Sequence, residues 1–302
     1  MGFFCILKKA WDALFAIELS PKESFGFGAE IILQKILNEN YTAFYNRILR
    51  SPYNKKHFLE IDAIVYYNNT IFCIEIKNYK GTIYYAANFK GDNFDSYKNG
   101  KIIQLKTDRY FKQTFKELPN PLDKTKFFAK QLKEHLERFD ARFSTVKFKS
   151  VVVWLDSIAN IENIYSFDDG LIYLSQLTDF IEKKSQKNKN NTWATEYLEK
   201  LPTFDQIITT GNQNIHGIIL GNTINCQKPI QDLHLKDIVS IDFTHKFTSC
   251  KSKVTVNYKD TRNLEFECEK ITINLDKFGT HQKHRLFNIK KIIVGTNILR
   301  PL

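Results

Sequence analysis

The stretch Ile61-Asp62-Ala63-Ile64-Val65-Tyr66-Tyr67-Asn68-Asn69-Thr70-Ile71-Phe72-Cys73-Ile74-Glu75-Ile76-Lys77 decides the fold. Two runs rich in β-branched and aromatic residues flank an Asn-Asn pair, and asparagine tolerates the positive φ that tight turns require. The spacing predicts a two-residue hairpin. Tyr67 then faces Thr70, Val65 faces Phe72 and Asp62 faces Glu75. Side chains alternate along a strand, so Asp62, Glu75 and Lys77 share one face while Phe72, Ile74 and Ile76 point to the other.

That convergence carries chemistry. Two carboxylates whose β-carbons lie about 5 Å apart repel, and one of them resists ionisation unless a cation sits nearby. A hard divalent ion, Mg²⁺ or Mn²⁺, answers this, because such ions bind through one or two carboxylates together with water and phosphate oxygens. Lys77 is placed to orient or deprotonate an attacking water and to balance charge on a phosphate. Glu-Ile-Lys alone describes a solvated strand face as readily as a site; the acid supplied across the turn makes the difference. Glu30 is a fourth candidate. On its helix it lines up with Leu33 and Leu37, at the edge of an apolar stripe where a carboxylate is costly without a partner.

Outward from the hairpin, the periodicity predicts a helix over 27–38 and an extended segment over 43–49, with the first hairpin strand beginning near 58. After the hairpin comes a loop containing Gly81, Gly91 and Gly100. Asn120-Pro121 then supplies an N-cap with proline at the first helical position, opening a helix to about Phe139. Val151-Val152-Val153-Trp154-Leu155 reads as a strand buried on both faces. A short strand at 171–174 and a helix at 177–184 follow. Lys183 to Asn191 is polar, basic and aperiodic, which suits a linker, and a short helix is expected near Trp193–Leu201. From 212 onward several short extended segments with intervening turns suggest a small β-sandwich or barrel.

The segments Gly26-Phe27-Gly28-Ala29-Glu30, Glu60-Ile61-Asp62-Ala63-Ile64-Val65, Cys73-Ile74-Glu75-Ile76-Lys77-Asn78-Tyr79-Lys80-Gly81-Thr82-Ile83 and Asn120-Pro121-Leu122 occur in an order that resembles NERD (nuclease-related) domains of the PD-(D/E)xK phosphodiesterase superfamily. The resemblance covers roughly residues 20–185. It implies an α/β fold with a restriction-endonuclease-like mixed β-sheet core flanked by helices, here followed by a small C-terminal β-rich domain. By analogy, Asp62 and Glu75 are the metal ligands, Lys77 the catalytic lysine and Glu30 the helix carboxylate that completes the site. Asn78, Lys80, Lys124, Lys126 and Lys130 are expected to contact nucleic acid. The sequence departs from the family at Ala29, where a second glycine is common, and at Lys124, where glutamine is common. Phe94 or Tyr97 stands near a usual tryptophan.

The implied activity is Mg²⁺-dependent or Mn²⁺-dependent hydrolysis of DNA, with RNA not excluded, in defence against foreign DNA. The expected division is an N-terminal amphipathic helix over 1–20, the nuclease-like domain over 21–185, a linker and short helix over 186–211, and the β domain over 212–302. That last domain is expected to bind DNA, to mediate a homodimer or to dock a partner protein, and its sequence does not choose among them. The alternatives are a catalytically silent nucleic-acid-binding or scaffolding protein, and a membrane-surface component anchored by residues 3–19.

Composition bounds these readings. The 302 residues are 43% hydrophobic and 14% aromatic, values of a folded chain and not of a disordered one. A net charge of +11 and a pI near 9.2 suit a polyanionic partner. Cysteines 5, 73, 226, 250 and 268 form no CxxC pair and no regular framework, which argues against a zinc knuckle or disulfide scaffold and for a reducing, cytoplasmic setting. No uninterrupted apolar run approaches the roughly 20 residues of a membrane span.

Overall fold

The computed structural model describes residues 21–52, 58–79, 81–85, 101–107, 110–155, 159–161, 166, 168–187, 192–212, 214–221, 223–227, 231–245, 251–277 and 280–296. The amphipathic helix expected over 1–20 lies outside the described residues. Two compact units form: one comprises Phe25–Leu49 and Leu59–Glu199, while Lys200–Leu302 and Arg50–Phe58 belong to the other.

The first unit is built on a mixed five-stranded sheet. Its strands are β1 (Ala43–Arg50), β2 (Phe58–Tyr67), β3 (Thr70–Lys77), β7 (Lys147–Trp154) and β9 (Leu171–Tyr173), in the order β1-β2-β3-β7-β9. β2 and β3 are antiparallel, and their ladder runs from Tyr67 opposite Thr70 to Ala63 opposite Ile74, the register expected from the sequence. Asn68 and Asn69 have φ of 45° and 53°, so both turn residues occupy the left-handed region that a type I′ hairpin demands. β7 runs parallel to β3, with Glu75 opposite Val152 and Lys77 opposite Trp154.

Helices cover both faces, which is why β3 is buried along nearly its whole length. Helix α1 (Pro21–Asn40) sets Ala29, Leu33 and Leu37 into one core with Ala63, Val65, Phe72, Ile74 and Ile76. Helix α2 (Pro121–Glu137) packs against β3 and β7. Its buried Leu122, Thr125, Phe128, Ala129, Leu132 and Leu136 recur every three or four residues, the spacing of one helical face. Asn120 caps it, its side chain accepting from the Leu122 amide at 3.0 Å, and Pro121 takes the first turn, where its missing N–H costs nothing. Among the described residues, helix α3 (Leu177–Lys184) and the short α4 (Thr195–Glu199) are the other α-helices of this unit.

One expectation is corrected here. The segment after the hairpin, expected to be a loop, carries a second sheet of β4 (Gly81–Tyr85), β5 (Lys101–Thr107), β6 (Gln113–Pro119) and β8 (Ala159–Asn160), ordered β6-β5-β4-β8. Gly81 is a strand residue and not a breaker. Its φ is +89°, and a β-carbon there would fall 2.1 Å from the Leu105 carbonyl oxygen, so glycine lets β5 approach.

The second unit carries a ten-stranded antiparallel sheet made from β10 (Asp205–Thr209), β11 (Asn214–Ile219), β12 (Thr223–Gln227), β13 (Gln231–His234), β14 (Ile238–His245), β15 (Ser252–Tyr258), β16 (Asn263–Cys268), β17 (Lys270–Lys277), β18 (Thr280–Arg285) and β19 (Ile289–Ile293). One core spans it, including Ile207, Ile219, Ile241, Val254, Ile273 and Ile292. The sheet begins at Asp205, ahead of the expected 212, and Asp205 is fully buried because its carboxylate accepts from the amides of Ile219 at 2.7 Å and Gly295 at 2.8 Å. Among the described residues no helix is long and apolar enough to cross a membrane.

Candidate active site

The candidate site lies where β2 and β3 part. Beyond Ala63 and Ile74 the backbone ladder ends, and the Ile76 amide donates instead to Asp62 Oδ2 at 2.8 Å. The Asp62 side chain thus takes a position a strand carbonyl would otherwise fill, which fixes its carboxylate over the end of β3. One residue before Ile76, Glu75 points to the α2 side of the sheet and is buried, with only 3% of its side chain exposed. Its Oε1 accepts from Lys77 Nζ and, at 2.8 Å, from Lys124 Nζ.

Lys124 comes from the first turn of α2, placed there by the Asn120-Pro121 cap. Its ammonium also sits 5.0 Å from the centroid of the Phe128 ring, one turn along the helix. The two lysines differ in setting: the Lys77 side chain is 19% exposed and that of Lys124 is 48%.

The electrostatics follow from this crowding. Burial pushes the Asp62 carboxyl well above its ordinary range, and the nearby charge of Glu75 pushes it further, against the opposing pull of Lys77 and the Ile76 amide. Burial acts on Glu75 in the same direction, but Lys77 and Lys124 together outweigh it and hold this carboxyl below its usual value. Burial pulls the Lys77 pKa down; Glu75 and Asp62 overcome it, and the ammonium is held more firmly than in water. Two acids side by side are therefore driven apart, one resisting charge and one kept charged.

The other candidates fall into place around this group. Glu30 is half-buried on α1, next to Ala29, whose side chain packs in the core that contains Ile74 and Ile76. Among the described residues no three carboxylate, histidine or cysteine side chains converge on one point, so Glu30 does not join Asp62 and Glu75 in a three-ligand cluster. Asn78 follows Lys77 and is half-buried. Lys80 lies outside the described residues. Lys126 and Lys130 are exposed on α2, and Lys130 approaches Glu134 at 3.9 Å across one helical turn. The sequence singles out Lys124 as a nucleic-acid contact; its bond to Glu75 puts it inside the site. In the second unit, His284 is buried within β18.

Neither a curated protein nor a solved structure matches the chain. A family model, that of the nuclease-related domain, matches residues 26–155. That span holds Glu30, Asp62, Glu75, Lys77 and Lys124, and with them strands β1, β2, β3 and β7 of the mixed sheet, so the site lies within the part of the chain that is similar to a nuclease-related (NERD) domain.

Proposed function

We propose that the chain is a divalent-metal-dependent nuclease that hydrolyses phosphodiester bonds of DNA at Asp62, Glu75 and Lys77. The observation that carries this reading is the meeting of two carboxylates and a firmly charged lysine at the open end of β2 and β3.

The residues fit a hard cation. Asp62 is bonded through Oδ2 and Glu75 through Oε1, and a carboxylate has two oxygens with about four lone-pair sites, so both retain capacity for an ion. Burial first, and then the charge of Glu75, make Asp62 resist ionisation, and a divalent ion between the two carboxylates would offset both. Asp62 and Glu75 would hold it, with substrate oxygens and water completing its shell. When bound, such an ion supplies Lewis-acid polarisation of the phosphate and a more acidic water.

The chain's own groups supply the rest. Lys77 stays protonated near neutral pH, so its part is to orient the attacking water and neutralise charge on the phosphate, not to remove a proton. Glu75 positions that ammonium. Lys124, reaching the same oxygen from α2, is placed to pair its ammonium with a phosphate. The net charge of +11 favours capture of the polyanion. A place in defence against foreign DNA rests on resemblance to the superfamily alone.

The test is incubation of the full chain with supercoiled plasmid, linear duplex, single-stranded DNA and RNA in Mg²⁺, Mn²⁺ or EDTA. The proposal expects scission of DNA that stops in EDTA. Binding without scission in every metal would leave the silent nucleic-acid-binding reading in its place.

A further inference from the structure

The β5–β6 hairpin is a base-stacking finger for unpaired nucleic acid, we infer, an inference that rests on the nuclease reading above and adds to it the substrate's state. The observation is a concentration of exposed rings. Among the described residues the exposed aromatic side chains are Tyr110 at 72%, Phe111 at 87%, Phe115 at 40% and Phe139 at 66%, and three of these four fall within six residues of this one hairpin. Water disfavours such a cluster unless a partner covers it. Phe111 also adopts a φ of 61°, a left-handed conformation uncommon for a residue with a bulky side chain.

The charge around the rings selects the partner. Lys106 and Lys116 are exposed on the two strands and Lys112 is exposed in the turn, whose sequence also contains Asp108 and Arg109, so basic residues are in excess here, and Glu117, the acid of the two strands, is paired with Lys101. An apolar tip on a hairpin with an excess of exposed lysines fits a polyanion that offers flat apolar faces, which is the chemistry of a strand with unstacked bases: rings stack on bases and lysines track the phosphates. A regular duplex hides those faces. The placement suits delivery to the site. β6 ends at Pro119, directly before the Asn120-Pro121 cap that carries Lys124, and seven strand residues extend about 20 Å from that root. A strand lying along the hairpin would reach its root beside the first turn of α2.

The test measures binding of the full chain in EDTA, so that it does not depend on turnover. A labelled thymidine 20-mer and a duplex of equal length are titrated against wild type, the double variant Tyr110→Ser with Phe111→Ser, and the control Phe139→Ser, which removes an exposed ring elsewhere. The double variant is expected to lose affinity for the single strand on the order of tenfold or more, with little change for duplex and an unaltered salt dependence. The control should match wild type. Photocrosslinking of a 5-iodouracil-substituted strand should label the tryptic peptide Tyr110-Phe111-Lys112. Equal affinity of the double variant and wild type for the single strand overturns the inference, as does crosslinking confined to other peptides. Capture by anionic phospholipid vesicles that the double variant abolishes, with strand binding intact, would assign the tip to a membrane and overturn it too. Scission without these effects leaves the nuclease reading standing and the finger refuted; strand capture by the tip without scission does the reverse.

Discussion

The Lys124 ammonium lies 2.8 Å from Glu75 Oε1, the oxygen that also accepts from Lys77. A cation in the first turn of a helix works against the helix dipole, so the acid across the sheet end is what makes that position favourable. Under the proposed function Lys124 competes with the metal ion for Glu75. Lys124→Gln is expected to tighten Mn²⁺ binding roughly threefold to tenfold, about 1 kcal/mol for a half-exposed charge, measured by calorimetry on the full chain. Unchanged or weaker Mn²⁺ binding would remove Lys124 from the site's charge balance.

Lys77 should be harder to replace. Lys77→Ala removes the ammonium that Glu75 positions, and a loss of about 10²-fold to 10⁴-fold in single-turnover cleavage is expected, with DNA binding in EDTA nearly unchanged. Lys77→Arg should rescue little, because a planar guanidinium does not fit the place of a compact ammonium bonded to a buried carboxylate. Full activity in the arginine variant would mean that only net charge matters there.

Asp62 gives a pH-dependent prediction for the metal-free protein. Its folded-state carboxyl is raised above the unfolded value of roughly 4, so the folded state binds more protons through that window and stability falls as pH rises through it. Asp62→Asn keeps an oxygen for the Ile76 amide and removes the charge. In EDTA near pH 7.5 the variant should melt about 2–4 °C higher, on the order of 1 kcal/mol, and the gain should vanish below about pH 4, where the native acid is protonated as well. A destabilised variant at pH 7.5 would show that the carboxylate is not held against its preference.

Gly81 tests the second sheet. With φ of +89° and the Leu105 carbonyl oxygen 2.1 Å from an added β-carbon, Gly81→Ala should cost at least about 2 kcal/mol in denaturant unfolding. A cost below about 0.5 kcal/mol would mean that β4 and β5 do not approach as described.

Much of this was legible in the sequence where local chemistry speaks alone. The Asn68-Asn69 turn set the register from Tyr67 opposite Thr70 to Ala63 opposite Ile74, one residue short of the expected pairing of Asp62 with Glu75, and Asn120-Pro121 announced α2 and so the first turn that carries Lys124. The second sheet was hidden because Gly81 and Gly100 resemble breakers and because β6, Gln-Thr-Phe-Lys-Glu-Leu-Pro, is largely exposed and lacks an alternating core face. β18, Thr-His-Gln-Lys-His-Arg, reads as a polar loop; only its ladder with β17 makes it a strand and buries His284. The place of Lys124 on Glu75 depends on how a helix packs over a strand 49 residues away, a long-range relation that no local pattern encodes.

The most direct measurement is single-turnover relaxation of supercoiled plasmid in Mg²⁺ by wild type, Asp62→Ala and Glu75→Ala, with DNA affinity measured in parallel in EDTA. The account predicts that the wild type nicks the plasmid and that each variant loses at least about 100-fold in rate while binding DNA as well as wild type does. Wild-type rates in either variant would contradict it, since the two carboxylates at the end of β2 and β3 would then have no part in the reaction.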